Sequence, residues 1–141
     1  MKIRTRHFKE IEVANDALLT FPEGIVGFEA QHAYATLKRD EEQPFEWLQS
    51  VEDEGVAFVV VDPLLFLATY DFEVDDETIA LLKIKDPAQI RLLTIVTLHS
   101  DFKKMTANLL APIIINTETR LARQIILNNT GYTTAHPIFP G

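Results

Sequence analysis

Residues 106–116 read TANLLAPIIIN, and this stretch limits the architecture more than any other. In an extended chain Leu109, Ala111, Ile113 and Ile115 share one face, while Leu110, Pro112, Ile114 and Asn116 share the other. Both faces are largely apolar, so the stretch reads as a strand covered on both sides. Pro112 has no amide hydrogen to give a ladder, which demands an edge, a bulge or a bend. An exposed edge this apolar would invite aggregation. The expectation is therefore a bulge or bend at Pro112 inside a covered strand.

Strand signals fill most of the remaining chain. Residues 2–7 (KIRTRH), 9–14 (KEIEVA) and 32–39 (HAYATLKR) alternate in polarity, as half-buried strands do. Residues 45–51 place Phe45, Trp47, Gln49 and Val51 on one side, with Glu46, Leu48 and Ser50 on the other. VAFVVVD at 56–62 is β-branched and almost continuous, and RLLTIVTLHS at 91–100 is a second long candidate. ALLTF at 17–21 runs into PEGIVGFE, where Pro22, Gly24 and Gly27 interrupt pairing. LLAPIIIN and RLARQIIL form a candidate antiparallel pair joined by TETR. The clearest helix lies at about 74–84, with Asp75 or Asp76 as cap, acids in its first turn and Lys83 near its end. Asp86-Pro87 stops it, and a second short turn fits 101–106. This pattern predicts a mostly β, single-domain antiparallel β-barrel or barrel-like sandwich over residues 1–141, with one or two short helices.

Composition removes several classes of function. The chain has no cysteine, hence no disulfide, thiolate metal site or cysteine nucleophile. It has no apolar run of about 18 residues and no apolar core in its N-terminal segment, so neither a membrane helix nor a secretory signal is expected. These features fit a cytoplasmic protein. Net charge is −8, which argues against a basic nucleic-acid-binding face. Between Asp40 and Leu82 stand 13 acids and no Lys or Arg. Such a run either solvates a surface or steers a basic partner toward it.

Reactive groups are sparse. Ser50 and Ser100 are the only serines, and neither lies in G-x-S-x-G. Phosphate-cradling and dinucleotide glycine motifs are missing. The run from Asp71 resembles a calcium loop, but its sixth position is Asp76 instead of Gly and its twelfth is Leu82 instead of Glu. No cofactor or metal is expected. His99 and Asp101 could share a strand face, and an enzyme built around them is one alternative reading. A purely structural interaction module is another. Glu52, Asp53 and Glu54 stand together in VEDEG, which fits a hairpin turn better than acid–base chemistry. Trp47 reads as core or as an interface anchor.

Four segments in order resemble the flagellar assembly factor family, FliW. They are FPEGIVGFE (21–29), PFEWLQSVED (44–53), AFVVVDP (57–63) and TANLLAPIIIN (106–116), with QIIL (124–127) and the region of Tyr132 in support. The resemblance spans about residues 3 to 133. It implies a small, mostly antiparallel, barrel-like protein without enzymatic activity. It also implies two protein partners: flagellin, held before export, and the basic RNA-binding carbon storage regulator CsrA. Binding of that regulator would relieve its repression of flagellin translation; direct nucleic-acid or membrane contact is not implied. The acids Glu41, Glu42, Glu46, Glu52, Asp53, Glu54, Asp71 and Glu73 are the expected regulator-facing surface. The apolar residues Phe21, Phe28, Phe45, Trp47 and Tyr70 are candidates for a groove that takes an amphipathic flagellin segment.

Overall fold

The computed structural model describes residues 1–139. Strands β1 (Lys2–Thr5) and β2 (Lys9–Glu12) form a separate antiparallel hairpin with Ile3 opposite Ile11. The main sheet contains β3 (Leu18–Thr20), β4 (Ala33–Lys38), β5 (Glu46–Ser50), β6 (Ala57–Val61), β7 (Ile90–Thr97), β8 (Thr106–Ala107), β9 (Ile113–Asn116), β10 (Ala122–Gln124) and β11 (His136–Pro137). Helix α1 (Asp76–Leu82) lies between β6 and β7 in sequence. Among the described residues no helix is long and apolar enough to cross a membrane.

The strand order is β10-β9-β7-β6-β5-β4-β3, antiparallel throughout. Besides β6, β7 serves two neighbours on its other edge: residues 90–93 pair with β9, and residues 96–97 pair with β8, which also pairs with β11. The ends of the path meet at one parallel bridge between Thr20 and Leu121, where the Thr20 amide donates to Arg120 O at 2.9 Å. One bridge is not a ladder, so the sheet is a barrel-like sandwich and not a fully closed barrel.

Both faces of this sheet are covered, which explains the nearly continuous apolar strands. The enclosed face packs Leu19, Phe21, Tyr34, Leu48, Val60, Leu93, Ile113 and Ile115. The opposite face of β4 packs Ala35 and Leu37 against Ile3 and Val13 of the hairpin region. The opposite face of β6 and β7 packs Val59, Val61 and Val96 against Tyr70, Leu109 and Leu127. The alternation read at 32–39 therefore separates two buried environments, not core from water. Residues 106–107 and 136–137 carry strands that their short sequences do not announce.

In TANLLAPIIIN the chain bends just before Pro112 and not at it, because a side chain and not the proline makes the turn. Pairing begins at Ile113, and residues 109–111 bend. Asn108 sets the bend, its Oδ1 accepting from the amides of Leu110 at 3.1 Å and Ala111 at 3.0 Å. No bulge forms. The β9–β10 register pairs Ala122 with Ile115, and it continues unshifted beyond the ladder. The Ile125 amide donates to Pro112 O at 3.0 Å, and the Leu127 amide to Leu110 O at 2.8 Å. Proline thus accepts where it cannot donate, and the lost bond ends the regular ladder.

α1 is shorter than the predicted 74–84. Asp75 is its cap, accepting from the Thr78 amide, and Lys83 ends it in the left-handed region at φ 56°. Buried Asn116 locks that end by donating to Leu82 O at 2.8 Å and Lys83 O at 3.2 Å. Its Oδ1 accepts from Glu118 and Thr119 in the turn that follows β9. Residues 108–116 therefore tie together a bend, a strand and a helix terminus.

Candidate functional site

The candidate site lies along β10, the end strand of the path. Its continuation turns the amides of Ile125 and Leu127 toward residues 110–112. By the alternation of an antiparallel pair, the backbone groups of Gln124 and Ile126 face outward. Among the described residues nothing bonds the Ile126 amide.

A hollow of about 640 Å³ runs beside this edge, lined by Phe72, Glu73, Asp75, Arg123, Ile125 and Ile126 among others. The segment that leads into α1 forms its acidic wall. Arg123 is the cation in this wall, and it is committed: Nε lies 2.7 Å from Glu23, Nη1 donates to Thr78 at 2.9 Å, and Nη2 lies 3.5 Å from Glu77. The Thr78 hydroxyl, donating at 2.6 Å, holds the Asp75 carboxyl below its ordinary range, so Asp75 is ionised at neutral pH. Glu23 and Glu77 pair with this guanidinium, and Glu73 and Asp75 line the same hollow, so four acids stand against one cation and leave the flank negative.

An apolar hollow of about 310 Å³ adjoins it, lined by Ile25, Val26, Phe58, Ile95, Leu110 and Ile126 among others. Val26 and Ile126 are 58% and 59% exposed, and Phe28, 40% exposed, stands edge-on to Phe58 at 5.0 Å. The two hollows share Val26, Gln124 and Ile126. Gln124 fastens them together, accepting from the Val26 amide at 3.0 Å and donating to Ala111 O at 3.1 Å. Asn108, Leu110 and Ala111 of this hollow come from the 106–116 stretch, whose last five residues are buried.

The sequence-predicted acids do not form one surface. Glu41 and Glu42 precede β5, whereas Glu52, Asp53 and Glu54 follow it, so the strand itself separates them. Glu46 is corrected: it is 5% exposed and paired with Arg91, so it cannot belong to an acidic surface. Glu42 accepts from the Trp47 indole at 3.2 Å. Glu41 pairs with Arg39, and its carboxyl is held low by its own amide and then by Arg39. Glu52 accepts from the amides of Ala33 and His32, which hold it below its ordinary range and brace the start of β4. Asp53 accepts from the Gly55 amide in the turn. Asp71 is exposed near Tyr132, whose hydroxyl bonds its backbone, and Glu73 reaches the groove.

Of the apolar candidates, Phe21 and Tyr70 are buried, and Tyr70 donates to Leu109 O at 2.7 Å. Phe45 and Trp47 are half-buried, and Trp47 lies against His7 and Phe8. Only Phe28 contributes to the exposed patch. Sequence reading missed Val26, Phe58 and Ile126, because assembling them needs the turn at 22–29, β6 and the β10 edge together. His99 Nδ1 accepts from the Asp101 amide at 2.9 Å, and Asp101 caps the turn Phe102–Lys104. Among the described residues no group of three or more His, Asp or Glu is arranged to hold a metal.

Comparison with known proteins places this architecture. The model of the family described as "FliW protein" matches residues 2–138. A flagellar assembly factor FliW from Ruminiclostridium cellulolyticum is 42% identical over 98% of this chain and 94% of its own length. One from Bacillus subtilis is 39% identical over 98% of this chain and 96% of its own. A crystal structure of the flagellar assembly factor FliW superposes with a TM-score of 0.94 at 37% identity, covering 100% of this chain and 99% of that one.

Proposed function

The chain belongs to the FliW family of flagellar assembly factors, and from that premise we propose that it is a non-enzymatic cytoplasmic protein that binds both flagellin and the regulator CsrA. The observation that carries this reading is the pair of adjoining hollows on the β10 edge, one apolar and one acidic. The apolar hollow suits the apolar face of a flagellin segment. The acidic wall suits a basic RNA-binding protein, for which opposite charge raises the association rate. Because Val26, Gln124 and Ile126 line both, occupancy of one hollow obstructs the other. Abundant flagellin would then free the regulator, which would again repress flagellin translation. The geometry around His99 and Asp101 is a local capping turn and does not favour the enzyme alternative.

The test is a pulldown of purified chain with flagellin and with the regulator separately, followed by competition between them. The reading predicts binding to each and displacement of one by the other. Failure to bind either partner overturns it, and formation of a stable ternary complex overturns the shared-edge account.

A further inference from the structure

The outward edge of β10 points to a specific binding mode. Residues 124–128 span about 14 Å of extended chain. Their sequence, QIILN, has no Lys, no Pro and no inward-pointing charge, which are the usual devices that blunt a sheet edge. β3 covers only the start of this edge, through the bridge of Thr20 to Leu121, and no such bridge continues along residues 124–128. The outward Ile126 amide thus lies at the mouth of a hollow with no protein partner among the described residues.

The surroundings define what could fill it. Phe72, Glu73 and Asp75 line the larger hollow alone, whereas Val26 and Ile126 also line the apolar one. A strand laid along this edge would turn successive side chains alternately to its two faces. One set would meet carboxylates and the other would meet aliphatic surface. Arg123 does not oppose a cation here, because Glu23 and Glu77 neutralise it and only 17% of its side chain is exposed.

We propose that a basic protein partner completes the sheet at this edge: an extended segment alternating apolar residues with Lys or Arg adds as a strand beside residues 124–128, its cations toward Glu73 and Asp75 and its apolar side chains on Val26 and Ile126. Main-chain hydrogen bonds supply affinity, and the two-sided environment supplies selectivity. This deepens the proposed function and rests on it only for which natural partner contributes the strand.

The test uses a fluorescent ten-residue synthetic peptide of alternating Lys and Val, measured by anisotropy. Two further peptides carry N-methyl groups on one or the other alternate set of amides, and a third replaces Lys by Glu. The parent peptide binds, and its affinity falls with added salt. One methylated peptide loses about tenfold or more and the other keeps its affinity, because only one set of amides faces β10. The Glu peptide does not bind. Ile126→Pro removes an outward amide while sparing the inward bonds of residues 125 and 127, so it weakens the parent peptide to a similar degree. Glu73→Lys weakens it independently of any backbone change. Equal binding by the two methylated peptides, unchanged binding by Glu73→Lys, or no binding of the parent peptide overturns the proposal. These readouts contain neither flagellin nor the regulator, so they fail or succeed separately from the pulldown.

Discussion

Asn116 offers the sharpest test of how the fold is held. Its side chain is fully buried and all four of its hydrogen-bonding positions are used: two donated bonds at the end of α1 and two accepted in the 117–119 turn. Asn116→Ala removes all four. At about 1 kcal/mol each the loss approaches 4 kcal/mol. Leu82 O keeps a bond from the Thr119 hydroxyl at 3.2 Å, which lowers the expectation to about 3 kcal/mol. For a chain of this size that corresponds to a fall in Tm of roughly 9 °C.

Asn116→Asp separates hydrogen bonding from shape. An ionised carboxylate would aim an oxygen at Leu82 O and Lys83 O, so the folded state favours the protonated acid. The folded pKa is then raised above the unfolded value near 3.9, and the folded state binds the extra proton. Stability relative to the parent therefore declines as pH rises from about 4 toward the raised folded pKa, and stays low above it. Urea unfolding at several pH values measures both effects. A loss below about 1 kcal/mol for Asn116→Ala, or an Asp variant as stable as the parent at neutral pH, would refute the clamp.

Three other substitutions test how the fold is held elsewhere. Gly24→Ala should cost more than Gly131→Ala, since both sites have positive φ but only at Gly24 would the new Cβ meet backbone, 2.6 Å from Glu29 Cα; paired thermal melts check the ranking. Arg91→Ala should destabilise by about 3 kcal/mol, because it leaves buried Glu46 without its cation, and adding Glu46→Leu should recover part of the loss; denaturant unfolding of the two variants decides. Glu52 has a lowered folded pKa, so its contribution is present above the ordinary Glu value and is lost as pH falls through the lowered one. Glu52→Gln should thus be less stable than the parent near pH 7 and converge with it near pH 3, and a gap that is independent of pH would contradict this.

Much of the fold was legible in the sequence because burial on both faces leaves long β-branched runs at 57–61, 90–97 and 113–116. The cap at Asp75 and the hairpin turn at 117–120 were legible because each depends on neighbours in sequence. β8 and β11 were not, since two residues carry no periodicity and their pairing is set by β7. The site was harder still. Glu46 sits among acids in sequence, but β5 turns it inward beneath Arg91, 45 residues away. Ile126 reads as one more aliphatic in RLARQIIL, and only the position of β10 at the end of the sheet exposes it. Phe28 gave a local signal through its place in the glycine-broken turn; its companions Phe58 and Ile126 gave none.

If one open sheet edge presents two adjoining surfaces to two different partners, each surface can be silenced on its own. The most direct measurement is the affinity of flagellin and of the regulator for the parent chain, Phe28→Ser and Glu73→Lys. The account predicts that Phe28→Ser weakens flagellin about tenfold or more and leaves the regulator within about twofold, and that Glu73→Lys does the reverse with a shallower salt dependence. Equal effects of each variant on both partners, or no effect of either, would contradict it.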